Sequence, residues 1–453
     1  MTANIVWLNA NIVWQTIMTW IPKLASTRSR YLALADAIER AIETGELKVG
    51  DRLPTHRDIA WRLGLDTSTV TKAYREASLR HLIHGEVGRG TYVLGRSRAA
   101  EMFASRMGDP AVLDLSVNTP VAMASDAFAK AVERAIKAPG MDWQGYASRK
   151  LIQRLRLAGA RWLETRGIMA RPEEIVPVAG GQAALAAILG VLDIKSLGIE
   201  AQTYSGVIAL AQGRALKTID LHMDGDGVLP KSLTDAGVDA AILTPTLHNP
   251  TGKIWSKARR RDLLAVAARS GTLVIEDDAY GPLADIEPMT ALPSGASTLF
   301  VSTLSKIVAP GLRTAFIWGR GQTIEKLSSA IYATGWGMAP LMMEVAVQWI
   351  ESGVVNEQIA AQRLEIEARH RLATAFFPEL RGNPPSPHIF LKTCAPAELF
   401  ELAGVRVAGS SAFSRRPVAN AGIRISLSAA PSRVALDVAL SRCAEVTRAH
   451  ARL

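Results

Sequence analysis

The chain has 453 residues, enough for two or three domains, and its 48% hydrophobic and 21% charged residues fit a globular protein and exclude a disordered one. Its two cysteines exclude a disulfide framework and a cysteine-rich metal site, and such low cysteine usage suits a reducing cytoplasm. The sequence has no uninterrupted apolar run long enough to predict a membrane span. The net charge of +10 is unevenly spread, because the first hundred residues carry 14 Lys or Arg against 9 Asp or Glu, which indicates an anionic partner for that end.

The first 25 residues have the features of neither a signal peptide nor a regular element. The tetrapeptide Asn-Ile-Val-Trp occurs at 4–7 and again at 11–14, and no basic run precedes the apolar stretch. We therefore expect residues 1–25 to be a tail that frays or packs on the next domain, with Met18 as an alternative start of the protein.

Residues 26–95 have the pattern of a winged helix-turn-helix, which is three short helices followed by a hairpin. Apolar residues recur at helical spacing until Gly45, Thr55 begins a second helix as its N-cap, and a third helix begins near residue 67. The segment 83–93 predicts two short strands around a glycine turn. The apolar face of the third helix is predicted to hold Val70, Ala73, Tyr74 and Ala77.

Residues 96–110 lack this hydrophobic rhythm and are predicted to be a linker, and the pattern changes in the domain that follows, 111–453. There, apolar β-branched runs alternate with helical stretches. The runs are IVPVA (175–179), AAILTP (240–245), TLVIE (272–276) and TLFVS (298–302). Apolar strands separated by helices predict an α/β fold with a mostly parallel sheet covered on both faces.

Reactive side chains follow these strands, and ligands of open α/β sheets bind beyond the carboxyl ends of the strands. A glycine turn that enters a helix follows the first strand, and such a turn suits a phosphate. The other strand ends supply an amide, a carboxylate, a phenol, a lysine and an arginine, namely Asn249, Asp277, Tyr280, Lys306 and Arg313. Pyridoxal phosphate (PLP) needs an amine for a Schiff base, a carboxylate at its ring nitrogen, and donors for its hydroxyl and phosphate. The set therefore predicts a PLP site.

From about residue 110 onward the chain resembles fold-type I PLP proteins, the aspartate aminotransferase superfamily. The resemblance extends over more than 300 residues and is specific, because several motifs occur in order. They are GYASRKLIQRLR (145–156), GGQAAL (180–185), HNPTG (248–252), EDDAY (276–280), STLSK (302–306), APGLR (309–313) and GIRISL (422–427).

This resemblance implies roles for individual residues. Lys306 would be the catalytic amine that binds PLP as a Schiff base. Asp277 would pair with the pyridine nitrogen, with Asp278 as the alternative, and Asn249 and Tyr280 would hydrogen-bond the ring hydroxyl. The implied phosphate ligands are Gly181, Gln182, Thr303 and Arg313.

Three further residues receive roles from the same resemblance. Tyr204 would stack on the ring, although Gln202 stands where the family usually has a proline. Tyr146 would reach the phosphate of the neighbouring subunit, which implies a homodimer. Arg424 would bind the α-carboxylate of an amino acid as a bidentate fork, with a main-chain edge as its alternative partner.

The stretch GELKVGDRLPTHRDIAWRLGLDTSTVTKAY (45–74), followed by GEVGRGTYV (85–93), closely resembles the GntR family of bacterial regulators. In such a domain the third helix enters the major groove and the wing lies along the backbone or the minor groove. The implied base readers are Arg57, Thr67, Ser68 and Thr71. The implied phosphate or groove contacts are Arg52, Lys72 and Arg89.

A GntR-type domain fused to an aminotransferase-like domain resembles the MocR-type regulators, in which the second domain is a dimer scaffold and effector sensor. The sequence therefore predicts a cytoplasmic, PLP-binding regulator that binds double-stranded operator DNA as a homodimer. Its effector would be an amino acid, an amine or PLP itself, and no metal is predicted. The alternative is a functional aminotransferase with a DNA-binding appendage, because Asp277, Lys306 and Arg424 are all present.

Overall fold

The computed structural model describes residues 20–22, 24, 29–48, 51–79, 82–86, 90–93, 112–122, 126–140, 145–415 and 422–450. The chain divides into two compact units, Met1–Glu101 and Met102–Leu453, and the division falls within the stretch predicted as a linker. Residues 1–19 of the predicted tail, the predicted linker 96–110 and the wing residue Arg89 lie outside the described residues.

The first unit follows the predicted order of three helices and a hairpin. Its helices are α1 (Arg30–Glu43), α2 (His56–Leu63) and α3 (Thr67–Leu79). Its strands are β1 (Arg52–Leu53), β2 (Ile83–Glu86) and β3 (Gly90–Val93). The sequence did not predict β1, which pairs antiparallel with β3 and makes the hairpin a three-stranded sheet.

Local chemistry sets the ends of α2. The Thr55 hydroxyl accepts a hydrogen bond from the main-chain N–H of Asp58 at 3.2 Å, which satisfies a free donor of the first turn. Gly64 ends the helix at a positive φ of 60°, which a glycine adopts without steric cost. The two capping residues therefore fix the length of α2 and the turn that leads into α3.

The core of the first unit is the predicted apolar face of α3. Val70, Ala73 and Ala77 are fully buried there, against residues of α1 and α2. Tyr74 is also buried, and its hydroxyl donates to the main-chain oxygen of Pro54 at 2.8 Å. Two residues of the predicted tail, Trp20 and Leu24, pack against the same core.

The second unit is an α/β structure. Its strands are β4 (Leu113–Asp114), β5 (Ile175–Val178), β6 (Ser196–Glu200), β7 (Lys217–Leu221), β8 (Met223–Asp224), β9 (Gly227–Val228), β10 (Ala240–Leu243), β11 (Leu273–Asp277), β12 (Thr298–Thr303), β13 (Ala315–Trp318), β14 (His388–Lys392), β15 (Val405–Arg406), β16 (Ala408–Gly409) and β17 (Gly422–Ser426). Its helices are α4 (Ala127–Ile136), α5 (Arg149–Glu164), α6 (Gly181–Val191), α7 (Ser205–Gly213), α8 (Pro230–Ala236), α9 (Lys257–Ser270), α10 (Gln322–Gly335), α11 (Pro340–Glu351), α12 (Val354–Phe376), α13 (Ala397–Leu402) and α14 (Arg433–His450). Among the described helices, none combines the length and the apolar character that a membrane span needs.

The main sheet of this unit has seven strands in the order β5-β13-β12-β11-β10-β6-β7. The four strands predicted from the sequence are β5, β10, β11 and β12, and the prediction of a mostly parallel sheet is confirmed. Strand β13, which the sequence did not predict, runs antiparallel to both of its neighbours. Because of that direction, the beginning of β13 lies at the same sheet edge as the ends of the other six strands.

A smaller antiparallel sheet, β14-β17-β16, packs with α12 and α14 around a separate hydrophobic core. Strand β17 lies in the middle of this sheet and all five of its residues are buried. The pairing of β15 with β4 ties the start of the second unit to this smaller sheet region. The segment that follows β4 thereby comes close to the reactive edge of the main sheet.

Candidate ligand site and nucleic-acid interface

A cavity that opens to solvent lies at the carboxyl edge of the main sheet. Residues from the main sheet, from β17 and from the segment after β4 line it. They are Ser116, Val117, Asn118, Tyr204, Ser205, Asn249, Tyr280, Lys306 and Arg424. Five predicted site residues are thus brought together in one cavity, although the sequence separates them widely.

Lys306 follows the end of β12 by three residues, and its side chain enters the cavity. Its Nζ donates a hydrogen bond to the main-chain oxygen of Asn118 at 2.8 Å. Burial and then the positive charges of Arg424 and Arg313 lower the pKa of Lys306 to about 8, against the opposing effect of Asp277. A much larger fraction of this amine than of an ordinary lysine is therefore neutral, and so nucleophilic, near neutral pH.

The two aspartates at the end of β11 have different partners. Asp278 is fully buried in an ion pair with Arg166, whose Nε lies 2.9 Å from the carboxylate. Asp277 accepts a hydrogen bond from the main-chain N–H of Ala279 at 3.2 Å, and burial raises its pKa to about 7, with a further contribution from Glu200. The charge of Asp277 acts on Lys306, so the geometry favours Asp277 over Asp278 as the carboxylate of the site.

Arg424 projects from β17 into the cavity. Its Nη1 donates to Oδ1 of Asn249 at 2.8 Å, and its Nη2 donates to the main-chain oxygen of Ser116. The guanidinium lies 4.8 Å from the ring centroid of Phe413, while its buried Nε has no partner among the described residues. Arg424 therefore does contact a main-chain oxygen, as one alternative predicted, and still keeps donors for an anion in the cavity.

A group of residues suited to an anion forms where β5, β12 and β13 meet. Gly180 has a φ of +95°, and a Cβ at this position would lie 2.6 Å from Nη2 of Arg313. Arg313 donates to the main-chain oxygen of Ala179 at 3.1 Å, just before Gly181 begins α6. Thr303 lies beside Gly181, since a Cβ there would be 3.9 Å from the Thr303 methyl carbon. Three of the four predicted phosphate ligands thus lie together at a helix N-terminus, which favours an anion.

The fourth predicted phosphate ligand, Gln182, lies beside the predicted ring-stacking residue Tyr204. The Gln182 Nε2 donates to the main-chain oxygen of Gly206 at 2.9 Å, and its Oε1 is buried without a partner among the described residues. A Cβ at Gly206 would come within 2.3 Å of the Tyr204 ring, so a glycine is needed for this close approach. Burial, and then the charge of Asp277, raise the pKa of Tyr204.

Sequence reasoning missed several residues around the site, among them Asn118 and His388. Asn118 Nδ2 donates to the hydroxyl of Tyr280 at 2.8 Å and lies 2.9 Å from Nδ1 of His388. All three side chains are buried. Asn118 lies in irregular backbone and His388 at the start of a short strand, so no periodicity or motif spacing in the sequence could have paired them.

Tyr146 is a predicted site residue that lies on the exposed surface of its own chain and does not line the cavity. It is 73% exposed and stacks on Trp336, with the ring centroids 4.8 Å apart. Trp336 is itself 68% exposed and has a φ of +54°, which is uncommon for a residue with a side chain. An exposed position is compatible with the predicted contact to a neighbouring subunit, which stays a prediction.

The predicted recognition helix α3 presents a polar face opposite its core face. The residues of this face are all exposed, and they are Thr67, Ser68, Thr71 and Lys72. The Thr71 hydroxyl donates to the main-chain oxygen of Thr67 at 2.8 Å, and the same oxygen lies 3.4 Å from Nδ1 of His56. Arg75, one turn further along, is exposed on the same face and was not predicted.

Basic residues flank this helix face. Arg57 is exposed on the first turn of α2, and Arg52 is half-buried on β1, where it packs against Gly90 of β3. Trp61, one turn after Arg57, is 83% exposed and was also not predicted. Apart from Arg89, which lies outside the described residues, every predicted DNA contact except Arg52 is exposed to solvent.

Residues 110–442 match the aminotransferase class I and II family, and residues 30–93 match the gntR family of bacterial regulatory proteins. The chain is 29% identical over 379 residues to the uncharacterized HTH-type transcriptional regulator YdfD of Bacillus subtilis, a match that covers 76% of this chain and 79% of that protein. It is 26% identical over 352 residues to the HTH-type pyridoxine biosynthesis transcriptional regulator PdxR of Corynebacterium glutamicum, which covers 75% of this chain and 76% of that protein.

Solved structures show the same fold. The chain superposes on an archaeal alanine:glyoxylate aminotransferase with a TM-score of 0.70 at 20% sequence identity, over 78% of this chain and 96% of that chain. At this level of identity the similarity shows the fold of the molecule. The predicted α/β fold-type I architecture is therefore confirmed.

Proposed function

The chain belongs to the aminotransferase class I and II family and carries a gntR-family helix-turn-helix domain, and from this organisation we infer a MocR-type regulator. We propose that it is a cytoplasmic transcriptional regulator that binds PLP and operator DNA. One observation carries the PLP half of the proposal, namely the cavity in which Lys306 and Arg424 meet. Both relatives named above are called transcriptional regulators, and the name of PdxR adds pyridoxine biosynthesis.

The residues of the cavity fit PLP. Lys306 would hold the aldehyde carbon, Asp277 the ring nitrogen, and Asn249 and Tyr280 the ring hydroxyl. The phosphate would lie among Gly181, Gln182, Thr303 and Arg313, with Tyr204 stacked on the ring. Two buried polar atoms, Oε1 of Gln182 and Nε of Arg424, have no partner among the described residues, and a polar ligand would satisfy them.

When bound, PLP supplies an electrophilic aldehyde on an electron-withdrawing ring. Lys306 offers its neutral amine to that aldehyde, because burial and neighbouring positive charges keep the pKa of the amine low. Asp277 would accept a hydrogen bond from the protonated ring nitrogen, because no salt bridge engages its carboxylate among the described residues, whereas Arg166 pairs with Asp278. Arg424 binds the carboxylate of an amino acid and thereby orients the amino group of that ligand towards the Lys306 position.

The proposed signal is the release of Lys306. If an amine or amino acid took the place of Lys306 in the site, the free Nζ of Lys306 would have a partner in the main-chain oxygen of Asn118, which it contacts at 2.8 Å. A carboxylate on Arg424 would compete with the contacts that Arg424 makes to Asn249 and Ser116. Two arrangements of the same residues, one of them favoured by the effector, are what allosteric control requires.

The DNA half of the proposal depends on α3 and its basic surroundings. Thr67, Ser68 and Thr71 would read base edges with Arg57, and Lys72, Arg52 and Arg89 would contact phosphates or a groove. In a homodimer two such helices would meet two half-sites, and Tyr146 would reach the PLP phosphate of the partner subunit. The effector would change the affinity for the operator by changing how the two domains meet those half-sites.

A functional aminotransferase is the second candidate. It is favoured by the arrangement of Lys306, Asp277 and Arg424, which is complete enough for transfer of an amino group. The two candidates differ in their requirement for DNA. A regulator binds a specific operator and turns over slowly, whereas an aminotransferase turns over rapidly whether or not DNA is bound.

The test uses the full-length protein loaded with PLP. We expect a visible absorption band, specific binding to DNA from upstream of its own gene, and an affinity that falls steeply with salt. A panel of amino acids and primary amines is then titrated while the spectrum and DNA binding are recorded together. We expect at least one ligand to change both, with slow or absent amino-group transfer.

Lys306→Ala and the exposed Lys326→Ala form a matched pair for this experiment. The first should lose the absorption band and still form dimers, and the second should behave like the parent. A protein that takes up no PLP would overturn the proposal, and rapid multiple turnover without DNA binding would establish the second candidate instead.

A further inference from the structure

Asn118 lies at the centre of a buried hydrogen-bond network that none of the predicted roles uses. Its main-chain oxygen accepts from Nζ of Lys306 at 2.8 Å, and its side-chain Nδ2 contacts Tyr280 at 2.8 Å and His388 at 2.9 Å. The partners lie 188, 162 and 270 positions away in the sequence. One residue therefore contacts the amine and the phenol of the candidate site simultaneously.

His388 determines the orientation of the Asn118 amide. The Nε2 of His388 lies 3.0 Å from the main-chain oxygen of His248, which accepts hydrogen bonds and donates none, so Nε2 carries the ring proton. Burial, and then the charge of Arg424, lower the pKa of His388 to about 3, so the ring is neutral. Nδ1 of His388 is therefore an acceptor. Asn118 must direct its NH₂ group at Nδ1, because the amide oxygen in that place would be repelled by the lone pair of Nδ1.

The orientation of Asn118 in turn sets the polarity of Tyr280. The two hydrogens on Asn118 Nδ2 are used by Nδ1 of His388 and by the hydroxyl oxygen of Tyr280. Tyr280 therefore accepts a hydrogen bond from Asn118, and its own hydroxyl proton stays available for another acceptor. The hydroxyl belongs to a side chain that lines the cavity beside Lys306, so that proton can be donated into the cavity.

We propose that Asn118 and His388 are positioning residues, which together keep the hydroxyl proton of Tyr280 directed at the ring oxygen of PLP and hold the amine of Lys306 when it is free. This inference rests on the proposed function, because it assigns roles within the same PLP site. His388 acts through Asn118, and Asn118 acts through Tyr280. A donated hydrogen bond stabilises the negative charge of the ring oxygen, so the network lowers the pH at which the Lys306–PLP linkage loses its proton.

The charged groups around this network are the same in all the variants below. Arg424 and Asp277 act on Tyr280, while Arg424, His248 and Lys306 act on His388. None of these charged residues is replaced in the variants of Asn118 and His388. A difference between variants therefore reports the hydrogen bonds of the network.

The first experiment does not depend on PLP. In NMR spectra of PLP-free protein labelled with [¹⁵N]histidine, we expect His388 to be neutral at pH 7 with its proton on Nε2. The signal of His388 is assigned as the one that is missing from the spectrum of His388→Asn. A charged His388, or a proton on Nδ1, would overturn the inference even if PLP binds. Because this measurement needs no cofactor, its failure is distinguishable from failure of the proposed function.

The second experiment titrates the visible spectrum of the PLP-loaded protein with pH. Asn118→Ala would remove the donor that Tyr280 accepts from, and His388→Leu would remove the acceptor that orients the Asn118 amide, so both should raise the spectral midpoint by about one pH unit. His388→Asn places an oxygen where Nδ1 lies and should restore the parent midpoint. Unchanged midpoints in Asn118→Ala and His388→Leu would contradict the inference.

A double variant separates positioning from general damage to the fold. If Asn118 acts through Tyr280, the shift caused by Asn118→Ala should vanish in a Tyr280→Phe background, because the hydroxyl proton that Asn118 orients is gone. A full and additive shift in that background would overturn the proposed route. Thermal unfolding of each variant shows whether it is folded, and Asn118→Ser provides a second variant if Asn118→Ala does not fold.

Discussion

Nη1 of Arg424 and Oδ1 of Asn249 lie 2.8 Å apart, although 175 positions separate the two residues in the sequence. The contact joins β17 of the smaller sheet to the turn that follows β10 of the main sheet. It also fixes the guanidinium plane, because a second donor of the same group bonds the main-chain oxygen of Ser116. The direction from which a carboxylate can approach Arg424 is therefore set in advance.

We expect Arg424→Lys to lower the affinity for carboxylate-bearing amines roughly tenfold or more, because a lysine keeps the charge and loses the bidentate geometry. Spectral titration of PLP-loaded protein with L-alanine and with ethylamine measures this effect. The affinity for ethylamine, which has no carboxylate, should stay the same. An equal loss for both ligands would show that Arg424 does not bind the carboxylate.

The pKa of Lys306 predicts how PLP uptake depends on pH. The amine, with a pKa of about 8, becomes neutral at lower pH than an ordinary lysine, whose pKa is 10.5. The rate of PLP uptake by PLP-free protein should therefore rise with pH and level off above about pH 8 to 9. Stopped-flow absorbance gives this profile, and a rate that still climbs above pH 10 would contradict it.

Asp277 should stabilise PLP binding and destabilise the PLP-free protein. Its pKa of about 7 in the folded chain exceeds the ordinary value of 3.8, so the folded state binds more protons than the unfolded state between these values. Raising the pH from 4 to 7 therefore weakens the PLP-free fold through this group. Asp277→Asn avoids the charge, and we expect it to raise the free energy of unfolding at pH 8 by about 2 kcal/mol.

Urea unfolding of PLP-free protein at pH 4.5 and pH 8 checks this sign, because the gain from Asp277→Asn should be largest at pH 8. The same variant should bind PLP more weakly, since an amide does not take the ring proton. A variant that is destabilised at pH 8 would show that Asp277 has a cationic partner in the PLP-free state.

Gly180→Ala should disrupt the proposed phosphate site. Its Cβ would lie 2.6 Å from Nη2 of Arg313, and the φ of +95° disfavours any side chain. We expect PLP affinity to fall at least tenfold, measured by fluorescence or absorbance titration. Gly213→Ala is the matched control, because a Cβ there meets no atom within 4 Å, and it should bind PLP like the parent.

Arg57→Ala should weaken operator binding by about 1–3 kcal/mol. Arg57 is exposed at the start of α2, and the loss of a base contact should weaken binding to the operator more than binding to unrelated DNA. Arg40→Ala removes an equal charge from an exposed position on α1 and should have a much smaller effect. Equal losses in the two variants would mean that net charge, and not the placement of α2, accounts for DNA binding.

The sequence alone determined the two-domain organisation and much of the reactive edge. Helical spacing, Thr55 and Gly64 predicted the winged domain, because these signals act between residues one or two turns apart. Four apolar strands and the residues that follow them predicted where Lys306 and Asp277 would lie, because parallel strands end at a common edge. Those features depend on local periodicity and on one general rule of α/β folds.

Tertiary structure decided the rest. Asp277 and Asp278 differ in their surroundings because Arg166, from the turn after α5, pairs with only one of the two adjacent carboxylates. The contact of Asn118 with His388 joins residues 270 positions apart, and it arises because the segment after β4 meets the start of β14 close to the cavity. Such contacts follow from the order of strands and the packing of two sheets, which no local pattern in the chain encodes.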